Sequence, residues 1–156
     1  MKHILRKKIF TEADYDHMQW HDCTIYKVRL ADDLEMDIDY IVEWVEPEAD
    51  GFPFSFWVCP ATLVFKKVRN VTFEFDAIMQ GETIEIEEIE MDHTDDGISW
   101  TITTRQGEMQ FIADGYEQYV RQEPFYRLAQ TIAISERNGI SLERTTSQPN
   151  PYRTLV

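Results

Sequence analysis

Phe54–Val68 reads F-S-F-W-V-C-P-A-T-L-V-F-K-K-V and carries no charge before Lys66. In an extended chain Phe54, Phe56 and Val58 fall on one face, with Trp57 and Cys59 on the other. A run apolar on both faces predicts a strand covered on both sides, at the centre of a sheet that the rest of the chain builds. Pro60 interrupts the run, and a proline has no N–H for a sheet ladder. The expectation is one bent strand, or two in succession over 54–59 and 61–68.

The segments on either side alternate with period two. Cys23, Ile25, Lys27 and Arg29 oppose Thr24, Tyr26, Val28 and Leu30. After an Asp32-Asp33 turn, Leu34, Met36, Ile38, Tyr40, Val42 and Trp44 share one face. Glu35, Asp37, Asp39 and Glu43 share the other with Ile41, the pattern of a half-buried antiparallel strand over Leu34–Val45. Val71–Met79 alternates with Val71, Phe73 and Phe75 inward. Thr83–Asp92 changes parity near Glu87-Glu88, which predicts a β-bulge. Thr94-Asp95-Asp96-Gly97 predicts a hairpin turn, and Ile98–Thr103 and Met109–Ala113 continue the meander on either side of Gln106-Gly107.

Thr11-x-x-Asp14 predicts a short helical turn. Gly115–Gln122 suits either a helical face or a strand. Pro124 fits a first helical turn, Phe125, Leu128, Ala129, Ile132 and Ala133 follow at helical spacing, and Asn138-Gly139 fits a C-terminal cap. Together they predict a helix over 124–137. Ile140–Thr145 is expected as a last short strand. The predicted class is α+β: an antiparallel meander of about seven to nine strands, a curved sheet or half-barrel, packed on one C-terminal helix. Residues 1–146 form the single domain, and 147–156, containing Pro149 and Pro151, form a flexible tail.

The 156 residues suffice for one domain with a core of its own, and a hydrophobic fraction of 43% excludes a wholly disordered chain. The net charge is −14, and it is unevenly spread. Between Leu30 and Phe65 there are nine acids (Asp32, Asp33, Glu35, Asp37, Asp39, Glu43, Glu46, Glu48, Asp50) and no Lys or Arg. Between Asn70 and Thr104 there are ten (Glu74, Asp76, Glu82, Glu85, Glu87, Glu88, Glu90, Asp92, Asp95, Asp96), again with no base. Such a field disfavours nucleic acid and anionic membrane as partners and favours a basic protein or a cation, or else it serves solubility alone. The first ten residues lack the apolar run of a secretory signal, and no run is long enough to span a bilayer, so a cytoplasmic protein is expected. Cys23 and Cys59 fit that setting as reduced, buried thiols.

Few residues point to chemistry. His17 and His21 stand four apart with Asp22 beside them, a spacing that puts two imidazoles on one helical face where a metal could sit. Met18 occupies the place of the glutamate in a zinc-protease motif. Asp92–Gly97 lacks the ligand spacing of a calcium loop. There is no Gly-x-Ser-x-Gly elbow and no glycine-rich phosphate loop, so no nucleophile and no cofactor are predicted. The candidate binding residues are His21 and Asp22, the acidic strand faces Asp37 with Asp39 and Glu74 with Asp76, and Tyr116, Tyr119 and Arg121 from a Tyr- and Arg-rich stretch. Like charges stacked along a strand face need open water, a cation or a basic partner.

Several phrases resemble a group of small uncharacterised bacterial proteins. They are Trp20-His21-Asp22-Cys23-x-Ile25, Asp37-Ile38-Asp39-Tyr40-Ile41-x-x-Trp44, Phe56-Trp57-Val58-x-Pro60-Ala61-Thr62-Leu63-Val64-Phe65, G-Y-E-Q-Y-V-R-Q-E-P from Gly115, and Ser135-Glu136-Arg137-Asn138-Gly139-Ile140. The resemblance covers most of 15–145 and implies a cytoplasmic bacterial setting with no activity attached. More loosely, the chain looks like the immunity proteins of polymorphic toxin systems. The leading expectation is a non-enzymatic, immunity- or adaptor-like protein using an acidic sheet face against a basic partner. The second is a small-molecule binder with Trp44, Trp57, Phe73 and Trp100 around a cavity inside a curved sheet. The third is a metal-dependent enzyme built on His17, His21, Asp22 and the acidic strand residues.

Overall fold

Ser55–Phe65 forms one strand, β4, and all 11 of its residues are buried. Four strands precede or flank it in the chain: β1 (Ile9–Thr11), β2 (Thr24–Leu30), β3 (Leu34–Val45) and β5 (Arg69–Phe75). Five follow: β6 (Ile84–Thr94), β7 (Gly97–Thr104), β8 (Gly107–Ala113), β9 (Tyr116–Val120) and β10 (Phe125–Arg127). The computed structural model describes residues 2–76 and 81–153. The strands make one open antiparallel sheet in the order β1-β9-β4-β3-β2-β6-β7-β8-β5, with β10 also on β4.

Pro60 sits inside β4 without breaking it. On one edge β3 pairs along the whole strand, with Asp39 opposite Pro60. The other edge is shared by β9 alongside Ala61–Phe65 and β10 alongside Phe56–Val58. The Pro60 carbonyl accepts from the Arg121 N–H at 2.9 Å, on the β9 side. A strand residue presents its N–H and C=O to the same neighbour. The missing donor therefore falls where β9 has ended and β10 has not begun. Of the two expectations, one strand or two in succession, the single strand holds, and the interruption lies in its neighbours.

Thr24↔Glu85 and Ile25↔Ile84 join β2 to β6, and beyond them the sheet's second half packs its apolar face on the first. The Phe65 ring lies 5.1 Å from Trp100 on β7 and 4.8 Å from Phe111 on β8, although β4 and these strands are not neighbours in the sheet. Leu34, Met36, Ile38, Leu63, Ile86, Ile102 and Met109 fill the same core. The parity change near Glu87-Glu88 is a register shift between Ile86 and Glu88, and Thr94↔Gly97 closes the expected hairpin. Thr11 caps a 3-10 helix over Glu12–His17 through a capping box with Asp14. Within Gly115–Gln122 the strand alternative holds, as β9 over Tyr116–Val120.

The α+β class is wrong, because no helix covers 124–137. Phe125–Arg127 pairs with β4 instead, and Leu128, on the supposed apolar face, is 77% exposed. Only the capping signal survives, as a turn in which Arg137 N–H donates to Ala133 and Gly139 N–H to Ile134, with Asn138 and Gly139 at φ 63° and 85°. Two tertiary demands outweigh helical propensity here. The β4 edge at Phe56–Val58 has backbone groups to pair, and carboxylates on the back of β3 take the Ile132 N–H and the Arg137 side chain. Residues 140–145 are not a strand; the segment crosses the back of the sheet, with Thr62 Oγ1 donating to the Glu143 carbonyl. In consequence β3 is not half-buried: Leu34–Ile41 is buried on both faces. Phe73 and Phe75, expected inward, are 41% and 37% exposed. The remainder of the predicted 71–79 strand, 77–79, lies outside the described residues, as do 154–156 of the tail. Gln148 and Asn150, from the segment expected to be flexible, are hydrogen-bonded into the fold. Among the described residues no helix is long and apolar enough to cross a membrane.

Candidate functional site

The back face of β3 carries Asp37 and Asp39, and the structure closes it. Arg121, just past β9, donates from Nη2 to Asp37 Oδ1 at 2.9 Å and from Nη1 to Thr62 at 2.9 Å. Arg137 donates from Nη2 and Nη1 to the two Asp37 oxygens at 2.7 and 2.8 Å, and from Nε to Asp39 Oδ1 at 3.1 Å. Ser141 N–H completes Asp37 at 2.9 Å. Tyr26 OH at 2.5 Å and Ile132 N–H at 2.8 Å complete Asp39. Both carboxylates and both guanidiniums are fully buried, and the Arg137 guanidinium rests 4.3 Å over the Tyr26 ring.

Burial sets the electrostatics of this cluster. It raises the Asp39 pKa, against the pull of Arg137, and lowers that of Arg121, against Asp37. Arg137 is also desolvated, but its bonds to Asp37 and the charge of Asp39 outweigh that and hold it firmly protonated. Two negative and two positive groups thus saturate one another. Gln122, Gln148 and Asn150 extend the network: Gln122 donates to the Arg137 carbonyl at 2.8 Å, and Asn150 to Gln122 at 2.7 Å. Every acceptor on the carboxylates is occupied by the chain itself, so the cluster fastens residues 121–150 to the sheet. Segments far apart in the chain meet here, through Asp37 with Asp39, Thr62, Arg121 with Gln122, and Arg137.

The remaining predicted residues scatter. His21 is an exposed turn residue that meets the Glu87 carbonyl through Nδ1 at 3.1 Å and stacks on Trp44. Asp22, in the left-handed region at φ 66°, accepts from Gln130 at 2.8 Å. His17 ends the 3-10 helix, and among the described residues no three His, Cys, Asp or Glu side chains gather to hold a metal ion. Tyr116 is buried, with its ring edge-on to Trp20 and Trp100, while Tyr119 OH donates to Glu117 at 2.9 Å. Cys23 and Cys59 are unpaired and buried, and burial pushes the Cys23 thiol up to about 12. Trp44, Trp57, Phe73 and Trp100 enclose no common cavity: Trp100 is core, Phe73 is at an edge, Trp44 packs on Phe54 and Phe56, and Trp57 lines a separate cleft. That cleft, of about 600 Å³, is turned on itself. Arg127 pairs with Glu136, and Arg153 lies 3.6 Å over the Phe125 ring.

Glu74 and Asp76 belong to the opposite case. The outer face of β6, β7, β8 and β5 is open, and registers align its side chains in rows. Glu88 stands opposite Thr103, Thr103 opposite Glu108, and Glu108 opposite Glu74. Glu90, Thr101, Gln110 and Thr72 form the next row. Glu74 and Glu108 are like charges directly across a ladder, an unfavourable pairing. Of the ten acids between Asn70 and Thr104, Glu85 alone among the described residues has an ion pair, with Arg105 at 3.4 Å. In the earlier block, Asp33, Glu35, Asp37 and Asp39 all pair with arginines and Glu43 with His3. No family model matches the chain, and no curated protein or solved structure does. The geometry itself therefore carries the functional argument.

Proposed function

We propose that the protein is a non-enzymatic binding module that meets a basic partner protein with the outer face of β5 to β8. The observation that carries this is the row of acids on that face: Glu74, Glu88 and Glu90 are exposed and have no ion pair among the described residues, and Glu74 stands opposite the like-charged Glu108. Uncompensated carboxylates on one face raise the encounter rate with a cationic surface, and their mutual repulsion is relieved when it docks. Two features support binding over catalysis. The buried Asp37, Asp39, Arg121 and Arg137 saturate one another, while His21 meets the Glu87 carbonyl and Asp22 accepts from Gln130. Buried, unpaired cysteines support a cytoplasmic setting, and the looser resemblance to immunity proteins is in keeping with an acidic binding face.

The test compares proteins retained from a cell extract by the immobilised chain and by a Glu74→Gln/Glu88→Gln/Glu90→Gln/Glu108→Gln variant. The wild type is expected to hold partners at about 50 mM salt and release them near 500 mM, where screening is short-ranged. The variant should lose them, and a Glu46→Gln/Glu48→Gln control should not. Equal retention on all three proteins rejects the proposal.

A further inference from the structure

We infer that the free edge of β5 receives an extended basic segment of the partner as an additional strand; this rests on the binding role just proposed and specifies the partner's form. Among the described residues β5 is the last strand of the sheet, bonded only through β8. Asp76 N–H donates to the Gln106 carbonyl at 2.8 Å, toward β8. Backbone direction alternates along a strand, so Thr72 and Glu74 also bond β8, while the N–H and C=O of Phe73 and Phe75 point away from the sheet. These are the two residues whose rings are exposed, 6.4 Å apart and edge to face. The register irregularity of the strand is confined to its start, between Arg69 and Thr72, where Asn70 has φ 54°. Among the described residues the stretch 73–76 is regular and unblunted, apart from its own acids.

A strand added here lies about 4.8 Å out and shares the pleat of β5. Alternate side chains would then flank Phe73 and Phe75 on one face, and Glu74 and Asp76 on the other. The complement is a segment alternating apolar with Lys or Arg, and its cations would also relieve the Glu74–Glu108 repulsion. A second copy of the chain fits poorly, because β5 against β5 sets Glu74 and Asp76 beside their own like charges.

The probe is a labelled ten-residue peptide alternating Lys and Val, compared by fluorescence anisotropy with a block peptide of five Lys followed by five Val. The alternating peptide should bind the full chain at least tenfold more tightly. Phe75→Pro removes an outward N–H and no ladder bond, and should abolish that preference, whereas Phe75→Ala should retain most of it. If both peptides bind alike and respond to Glu74→Gln/Glu108→Gln but not to Phe75→Pro, strand addition is wrong and the acidic-face role stands. If neither binds, or if sedimentation shows a dimer that Phe75→Pro dissolves, the edge does not serve a basic segment. The four-site capture experiment then judges the wider role separately.

Discussion

The acids of β3 and those of β6 are similarly dense in the chain and opposite in fate. Asp37 and Asp39 are fully buried, each held by a guanidinium and backbone N–H donors. Glu88, Glu90 and Asp92 line an exposed face with no ion pair among the described residues. The cause is position in the sheet. β3 lies inside it and is crossed at the back by 128–150, which brings Arg137; no described segment crosses the outer face of β6 to β8. Identical side-chain chemistry thus becomes an internal clasp in one half and a surface charge in the other.

The largest test of this contrast is Arg137→Met. It leaves the buried Asp39 without a guanidinium and Asp37 with Arg121 alone, and should cost about 3–5 kcal/mol in urea denaturation, because an uncompensated buried charge keeps its desolvation penalty. Arg144→Met, at the more exposed pair with Asp33, should cost less than about 1 kcal/mol. Similar losses for the two would remove the distinction between clasp and surface.

In the open half, reversing a charge should do the opposite. Glu108→Lys places a cation opposite Glu74 and is expected to stabilise by up to about 1 kcal/mol at low salt, with the gain fading toward about 1 M NaCl. A destabilised or salt-indifferent variant would mean that the face is already compensated.

The smallest effect is a pH dependence in the closed half. Burial pushes the Asp33 pKa up, but the Lys67 N–H, the Arg144 hydrogen bond and the Lys66 charge outweigh it and hold the pKa below 3.8. A carboxyl depressed on folding contributes stability above its unfolded pKa and loses it as pH falls through the folded one. Wild type should therefore exceed Asp33→Asn by a constant margin above about pH 5, shrinking as acid protonates Asp33. A margin that persists in strong acid would assign the effect to packing.

Much of the sheet was legible because alternation over many residues leaves few choices. β3 has the expected bounds, Thr94–Gly97 turns as expected, and the bulge near Glu87-Glu88 follows from a parity change. Three-residue β1 and β10 are too short to show a period. The helix over 124–137 failed because its apolar spacing was matched by a free sheet edge at Phe56–Val58, which local propensity does not register. Arg121 was singled out only for its residue type, and Arg137 only within a family-like phrase. One signal pointed toward them: an acidic strand face beside a strand apolar on both sides needs a counter-charged cover.

By itself the sequence determined most of the longer strands and the enclosure of the middle of Phe54–Val68, since alternation and continuous apolarity depend on neighbours one or two residues away. It also determined that nineteen acids would fall in two base-free blocks. Which block would be neutralised depended on where residues 100 positions apart meet, as Arg137 and Asp37 do. Coulomb attraction and desolvation act through space, and only the folded sheet decided which acids had an arginine in reach.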